Sequence, residues 1–323
     1  MTTFQRSYDA MGSRFSVRLD LWPNSDSSTP INSGETEALL TQLEEKTEQL
    51  EQSLSRFRQD SELMTLINSM DQWTTPSPHM EEVLKIAEAA MDLTACAFDP
   101  RILPRLEEIG YAGAAFNNSF HQSEPSSCDP AKVFHRNEHG EIKLVTPIDL
   151  GGIGKGYTAD CLAEMIESAV SPFNLAGYII DAGGDLVVSG CQHSGDPWNI
   201  GIENPLNPST LSAVASPVGN YGQKTALCTS SLWRNAWVHE GKKVHHLIDP
   251  ATGSPVETQL YSVTALADSA ATAEVVTKYI LLRGFRDAPL WRDYTPRCLW
   301  ITKTGNIHMN ADMEPFIVWL ATD

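Results

Sequence analysis

The sequence lacks the features that mark membrane-spanning and exported proteins. No window of the 323 residues approaches the run of about 18 apolar side chains that a membrane-spanning helix requires. The N-terminal stretch MTTFQRSYDAMGSRFSVRLDL has neither a basic start followed by an apolar segment nor a cysteine placed for lipid attachment. Because neither a signal peptide nor a lipobox is visible, we expect a soluble, cytoplasmic protein.

Cysteine is scarce and scattered along the chain. The six cysteines form neither a C-x-x-C pair nor the spacing of a zinc finger. This spacing argues against the common zinc-binding folds. We therefore expect reduced and mostly buried thiols at Cys96, Cys128, Cys161, Cys191, Cys228 and Cys298.

Positive charge is also in short supply. The chain has 23 Lys and Arg residues against 41 Asp and Glu residues, which gives a formal net charge of −18. Such a surface repels polyphosphate backbones, so nucleic acids are disfavoured as partners. A small anionic ligand stays compatible with this charge, because backbone amides and one or two local cations can hold a phosphate.

Apolar residues, in contrast, are abundant enough for a large core. They make up 41% of the chain and include 8 Trp and 10 Phe, which argues against disorder. Strand-like and helix-like segments alternate irregularly, which favours an α+β or mixed α/β fold over a strict Rossmann alternation. The segment at 113–140 is rich in Asn, Ser, Pro and His and is predicted to be a surface insertion or a boundary between lobes. The clearest predicted helices span about 36–54, 79–95, 158–170 and 269–282.

The most distinctive stretch, residues 148–160, reads IDLGGIGKGYTAD. Its four glycines permit positive φ angles and close approach of a ligand, and the helix predicted to follow offers free N–H groups to an anion. The spacing matches neither a Walker A loop nor a G-x-G-x-x-G fingerprint. Two interpretations therefore stay open, a phosphate site and a structural turn between a strand and a helix.

Three further segments each have a functional and a structural interpretation. In VHHLIDPATG, residues 244–253, His246 can act as a general base near neutral pH or simply be a hydrogen-bonded packing residue. The pair Gly183-Gly184 in DAGGD predicts a tight hairpin flanked by Asp181 and Asp185. The hydroxyl residues of TSS, at 229–231, can contact a phosphate, although a helix cap is the default interpretation.

The predicted helix at 269–282 carries Glu274 and Lys278 four residues apart. This order of charges is the favourable one for an ion pair along a helix surface, worth only tenths of a kcal/mol. Taken alone, the spacing indicates a solvated ion pair and no site.

Taken together and in order, eight short motifs resemble the ApbE family of FAD:protein FMN transferases. The motifs are AMGS, SRFRQDSEL, AFDP, IDLGGIGKGYTAD, DAGGD, WNIGIENP, TSS and HHLIDPATG. The resemblance runs from Tyr8 to Gly284 and so covers most of the chain. It implies a single domain over 1–323 with a surface insertion at 113–140. It also implies an α+β fold of T-fold-like antiparallel sheets with flanking helices and an FAD cleft between lobes.

The resemblance further implies an activity. Family members use Mg²⁺ to hold the pyrophosphate of FAD, attach FMN through a phosphoester to a Thr or Ser of an acceptor flavoprotein, and release AMP. Carried over by position, the base for the acceptor hydroxyl is His246, and a main-chain oxygen that helps bind the metal is that of Gly152. The implied flavin contacts are Met11, Phe57, Ala97, Phe98, Asp99, Asp149, Lys155 and Ile248.

The chain departs from the family pattern at the implied metal site. Where the family has Asp and Thr side chains on Mg²⁺, this sequence has Glu274 and Lys278, and Thr277 matches only if the helix is rotated. A glutamate can bind a metal, but an ammonium group has only donors and cannot. Three outcomes follow from this departure: the metal shifts, Lys278 contacts the pyrophosphate directly, or transfer is lost while flavin binding remains. The alternative function is thus a non-catalytic FAD-binding protein, or an FAD pyrophosphatase variant, with a degenerate metal site.

Overall fold

The protein is represented by a computed structural model that describes residues 2–22, 33–111, 133–169, 175–217, 224–285 and 295–321. The α-helices in these ranges are α1 (Ser33–Leu54), α2 (Glu62–Asn68), α3 (Pro78–Leu93), α4 (Leu103–Glu108), α5 (Gly154–Ala169) and α6 (Ala270–Arg283). Two 3₁₀ turns span Pro100–Ile102 and Glu314–Phe316. In this part of the chain no helix combines the length and the apolar character needed to cross a membrane.

An eight-stranded sheet forms the centre of the fold, in the order β1-β2-β5-β6-β9-β14-β15-β16. All of its described strand pairs are antiparallel. The predicted α+β class, with antiparallel sheets and flanking helices, is therefore confirmed. The strands are β1 (Thr2–Ala10), β2 (Ser13–Leu21), β5 (Leu175–Ala182), β6 (Asp185–Gly190), β9 (Thr225–Ser231), β14 (Leu260–Ala267), β15 (Arg297–Thr302) and β16 (Ile307–Met309).

Four smaller sheets complete the described strands. A three-stranded sheet consists of β17 (Ile317–Leu320), β8 (Leu211–Ala215) and β7 (Ile200–Glu203). The two-stranded sheets pair β3 (Phe134–Arg136) with β4 (Ile142–Leu144), β10 (Ala236–His239) with β11 (Lys242–His245), and β12 (Ile248–Asp249) with β13 (Ser254–Pro255).

The central sheet is covered on both faces. Alternate residues of β2, namely Phe15, Val17 and Leu19, pack in one core cluster with apolar residues of α1 and α5. Another cluster joins side chains of β6, β9 and β14 to the three-stranded sheet around Trp198. Since successive side chains of a strand point to opposite faces, this arrangement explains why the sheet strands read as largely apolar. It also fixes α5 and α6 beside the same face of the sheet.

The four predicted helices are all present, with shifted ends. Ser77 and Ser269 accept hydrogen bonds from the backbone amides of Met80 and Thr272, so side-chain caps start α3 and α6. The helix α5 begins at Gly154 and not at residue 158, because Leu150 and Ile153 already accept helical hydrogen bonds from Gly154 and Tyr157. Lys155 therefore lies in the first turn of a helix and not in a free loop.

Two other expectations from the sequence meet the structure only in part. Residues 113–132 of the predicted surface insertion lie outside the described residues, and within its described part Val133 and Phe134 are buried in the core. The prediction of reduced cysteines is wrong for Cys96, which is disulfide-bonded. Free thiols are found at Cys161, Cys191, Cys228 and Cys298.

Candidate functional site

The helices α5 and α6 are joined by two buried carboxylates. Asp160 of α5 accepts hydrogen bonds from the amides of Ala270 and Ala271 at the start of α6, at 2.8 and 3.0 Å. In return, Oε2 of Glu274 in α6 accepts a 2.9 Å hydrogen bond from the amide of Gly156 in α5. A Cβ on Gly156 would lie 2.7 Å from the α6 backbone, so glycine is needed for this approach. The glycine motif thus aligns the two helices.

The loop before α5 differs from its predicted geometry. Glycines 151, 152, 154 and 156 all have φ outside the positive region, so the positive φ angles that glycine permits are not used at this motif. Close approach is nevertheless needed at Gly152, where an added Cβ would lie 2.8 Å from the Phe98 ring and 3.4 Å from Cε of Lys278. The amides of Gly154 and Gly156 are already bonded within the protein, so two of the N–H groups expected to face an anion are engaged.

Four charged side chains meet beside this loop. The Nζ atom of Lys278 lies 3.3 Å from Oε1 of Glu274, and Nζ of Lys155 lies 3.9 Å from the same oxygen. Lys155 also forms a close ion pair with Asp185 on β6. Both carboxylates are almost fully buried, with side chains only 5% and 3% exposed. Two ammonium groups therefore converge on one buried carboxylate oxygen.

The protonation of this charge cluster follows from its burial. Burial raises the pKa of Glu274, and the negative charge of Asp185 raises it further against the opposing effect of the two lysines. Burial alone would lower the pKa of Lys155, but the charges of Asp185 and Glu274 outweigh it and raise that pKa. Lys155 therefore stays positively charged at neutral pH.

His246 lies in the link between β11 and β12. Its Nδ1 is 3.4 Å from the carbonyl oxygen of Asn235. Burial, followed by the positive charge of Lys278, lowers the pKa of His246 to about 4. The imidazole is thus neutral near pH 7, which is the form in which histidine accepts a proton.

Aromatic rings lie beside His246. Tyr111 stacks on Trp237 with ring centroids 5.1 Å apart, contacts Phe57 edge to face at 6.1 Å, and lies 6.4 Å from His246. Arg56 is buried beneath them, with its guanidinium 4.4 Å from the Phe57 ring centroid and 4.8 Å from that of Tyr111. Phe57 itself is 55% exposed, which leaves a ring face open to a flat ligand.

Asp149 connects these rings to the glycine motif. Its Oδ2 lies 2.6 Å from Nε of Arg56, and its Oδ1 accepts a hydrogen bond from the amide of Gly151. Its own amide donates to the carbonyl oxygen of Pro100, which places the AFDP segment alongside. The sequence motifs SRFRQDSEL, AFDP and IDLGG therefore meet at one place.

The remaining candidate flavin contacts have mainly structural partners. Met11 occupies the turn after β1, where its amide donates to Glu51 and its sulfur accepts a hydrogen bond from Thr158 of α5. The Asp99 carboxylate is held by Arg101 at 2.6 and 2.8 Å. Three other candidates have buried side chains: Ala97, Phe98 and Ile248. Of these, Phe98 lies against Gly152.

The residues around Glu274 do not fit a divalent metal. Thr277 is fully buried, donates to the carbonyl oxygen of Glu274 at 2.9 Å and shares a 2.7 Å hydrogen bond with Ser230. Lys278 brings an ammonium group to the carboxylate in place of a ligand. Among the described residues there is no group of three or more His, Cys, Asp or Glu side chains that could hold a metal ion. Mg²⁺ takes oxygen ligands, and here an ammonium group, which has only donors, faces the one buried carboxylate oxygen left without a backbone partner.

The same contacts correct the interpretation of TSS as a helix cap. Residues 229–231 lie on strand β9. The Thr229 hydroxyl bonds to that of Thr264 at 2.8 Å, and the Ser230 hydroxyl bonds to Thr277. These hydroxyls therefore connect the sheet and α6.

Sequence reasoning missed several residues of this site. The DAGGD motif was interpreted as a hairpin, and the positive φ angles of Gly183 and Gly184 confirm that hairpin. The ion pair of its last residue, Asp185, with Lys155 was not predicted. Arg56 and Asp160 also stand inside quoted motifs, so the motifs themselves carried the signal. Tyr111 and Trp237 lie in no motif, and only the fold brings them to Phe57 and His246.

Comparison with known proteins places this geometry in a family. A model of the ApbE family matches residues 11–298. The FAD:protein FMN transferase of Salmonella typhimurium is 29% identical over 250 residues, which cover 73% of this chain and 68% of that protein. Its counterpart in Vibrio cholerae is 27% identical over 262 residues, which cover 77% of this chain and 75% of that protein.

Solved structures agree with this match in fold. The flavin transferase ApbE from Vibrio cholerae has a TM-score of 0.76 and 22% identity, with 98% of this chain and 99% of that one covered. The ApbE protein from Thermotoga maritima has a TM-score of 0.78 and 22% identity over the same shares of the two chains. The chain has the fold of these proteins.

Proposed function

The chain belongs to the ApbE family, and from that premise we propose that it is an FAD:protein FMN transferase. It takes FMN from FAD, attaches it through a phosphoester to a Thr or Ser of an acceptor flavoprotein, and releases AMP. The observation that supports this proposal best is the convergence of Lys155 and Lys278 on one buried oxygen of Glu274, beside a neutral His246.

The reaction asks for charge neutralisation and for a base. The acceptor hydroxyl oxygen attacks the phosphorus on the FMN side of the pyrophosphate, the bond to the AMP oxygen breaks, and AMP leaves with that oxygen. Negative charge on the transferred phosphoryl group is stabilised by nearby cations, a role that Lys155 and Lys278 suit. The hydroxyl proton passes to His246, which burial and the charge of Lys278 keep unprotonated at pH 7 by lowering its pKa.

Binding of the donor involves the other half of the cleft. The exposed face of Phe57 offers a surface for the flavin ring, supported by Arg56 and Tyr111 behind it. Backbone and side-chain contacts at the remaining positions stay proposals, namely Met11, Ala97, Phe98, Asp99, Asp149, Lys155 and Ile248. The cytoplasmic location also stays a prediction, and the disulfide bond at Cys96 counts against it.

One observation favours a second candidate function. The predicted metal set of Gly152, Glu274, Thr277 and Lys278 pairs a carboxylate with an ammonium group, which is also what an abandoned metal site would look like. A flavin-binding protein without transfer chemistry, or a hydrolase that splits FAD with water, would carry the same fold. Magnesium dependence is thus a separate question from flavin binding.

The test is incubation of the purified chain with FAD and the acceptor protein of the Vibrio cholerae transferase. We expect AMP release and a covalent flavin on an acceptor Thr or Ser, detected by mass spectrometry and by in-gel fluorescence after denaturation. His246→Asn should lower the transfer rate by about 10²- to 10⁴-fold while FAD affinity stays the same.

The outcomes separate the candidates. Bound FAD with neither AMP release nor modified acceptor would contradict the transferase and support the non-catalytic flavin binder. Release of both AMP and free FMN without acceptor would identify the hydrolase.

A further inference from the structure

We propose that the ammonium group of Lys278 replaces the divalent metal at the pyrophosphate site, so that this chain binds FAD and transfers FMN without Mg²⁺. The proposal rests on the transferase function and specifies its chemistry further. It assigns Lys278 a direct contact with the pyrophosphate, so the property to measure is whether FAD binding requires Mg²⁺.

Lys278 lies between the Gly152 loop and the carboxylate of Glu274. Its Cε lies 3.4 Å from where a Cβ of Gly152 would be, and its Nζ lies 3.3 Å from the Glu274 carboxylate and 3.4 Å from the Glu274 carbonyl oxygen. The side chain is only 12% exposed, which excludes a freely solvated lysine. Its ammonium group therefore lies between the Gly152 loop and the α6 carboxylate, two of the positions that the family resemblance implies for holding the metal.

The charges of the cluster balance without a metal ion. Lys155 and Lys278 supply two positive charges, and Asp185 and Glu274 supply two negative charges when ionised. The carboxylates are thus compensated without a metal. A divalent ion placed against Glu274 would meet two ammonium groups within a few ångströms and be repelled by both.

The Lys278 ammonium group has a hydrogen-bond donor to spare for a phosphate oxygen. Oε2 of Glu274 already accepts from the Gly156 amide, and Oε1 faces both lysines. An ammonium group has three N–H donors. Lys278 uses two of them on Glu274 at most. At least one donor remains for a phosphate oxygen, to which lysine binds as a point charge.

Direct measurement of FAD binding tests the proposal. The dissociation constant is measured by flavin fluorescence in excess EDTA and again in excess Mg²⁺, for the native chain and for Lys278→Met and Lys278→Arg. We expect the native constant to be the same in both conditions. Lys278→Met should weaken binding about tenfold or more in both, and Lys278→Arg should retain most of the affinity.

A matched control is available on α3. Lys85 forms an i, i+4 ion pair with Glu81 at 3.2 Å, the same arrangement as Lys278 with Glu274, but its side chain is 54% exposed. Lys85→Met should leave FAD affinity unchanged. The double variant Glu274→Asp with Lys278→Thr recreates an oxygen donor set, and its FAD binding and AMP release should fall in EDTA and recover with Mg²⁺.

Each result decides for or against the proposal. Native FAD binding that needs Mg²⁺ would overturn it and leave the transferase function intact, as would equal affinities of the native chain and Lys278→Met. No FAD binding in either condition would contradict the transferase function itself. A double variant that behaves like the native chain in EDTA would also overturn the role of Lys278.

Discussion

The two buried carboxylates that join α5 and α6 have matching positions but different surroundings. Asp160 accepts two amides of α6, and Glu274 accepts one amide of α5. Burial raises the pKa of both. Glu274, however, faces the ammonium groups of Lys155 and Lys278, whereas the side-chain charges that act on Asp160 are those of Lys224 and Glu164, which oppose each other. Backbone hydrogen bonds thus make a buried carboxylate structural, and cations that converge on it turn the same arrangement into a candidate site.

The largest difference between the two carboxylates is expected when the lysine near each one is replaced. Lys155→Met should lower AMP release by about 10²- to 10³-fold, because it takes away one of the charges expected to stabilise the transferred phosphoryl group. Lys224 pairs at the surface with Glu164 at 3.7 Å and lies on the Asp160 side. Lys224→Met should leave AMP release unchanged. Equal losses in the two variants would remove the distinction between the carboxylates.

The next largest effect is the loss of folding stability expected when Asp160 is replaced. Asp160→Ala deletes two hydrogen bonds between a carboxylate and the first amides of α6, so we expect a loss of about 3 kcal/mol in the free energy of unfolding. Urea denaturation followed by circular dichroism measures it. The folded fraction should still release AMP from FAD. A variant of unchanged stability that no longer releases AMP would place Asp160 in the chemistry.

A third prediction concerns pH. Burial raises the pKa of Asp160 to about 6 in the folded chain, against an ordinary value of 3.8. The native state therefore binds more protons than the unfolded state between these values, and stability rises as the pH falls through this range. From about pH 7 to about pH 4 the native chain should gain about 2 kcal/mol relative to Asp160→Asn. Parallel stability curves for the two proteins would contradict the raised pKa.

The smallest expected effect is at Thr277, one residue before Lys278. Thr277→Val removes the hydroxyl that bonds to Ser230 and to the Glu274 carbonyl oxygen, at a cost of about 1 kcal/mol in stability. Because this hydroxyl is turned into the protein, AMP release should not change. A large loss of AMP release with Mg²⁺ present would show that Thr277 is a metal ligand after all.

How far the sequence predicts this molecule depends on sequence distance. The hairpin at Gly183-Gly184 and the contact between Glu274 and Lys278 are local, and both were predictable from spacing, but the pair was expected to be solvated and the structure buries it. The meeting of Lys155 with Glu274 was not, because 119 positions separate them and only the packing of α5 on α6 brings them together. The glycines of IDLGGIGKGYTAD were correctly expected to permit close approach, but the partner at Gly156 is a helix backbone.

The aromatic residues around Phe57 show the same dependence on sequence distance. Phe57 stands inside a quoted motif and was expected to contact the flavin ring. Tyr111 and Trp237 had no pattern around them, since a stacked pair of rings formed by a helix end and a distant hairpin leaves no periodic signal. Thr277 was considered as a ligand from its position, and only the structure shows that its hydroxyl is hydrogen-bonded to Ser230 and to the Glu274 carbonyl oxygen.

If α6 supplies a lysine in place of the metal, the chain transfers FMN without Mg²⁺. The most direct measurement is mass spectrometry of the acceptor protein after incubation with this chain and FAD in excess EDTA. We predict an acceptor that carries one FMN phosphoester on a Thr or Ser, in the same yield as with Mg²⁺. An acceptor that stays unmodified in EDTA and becomes modified only with Mg²⁺ would contradict the claim.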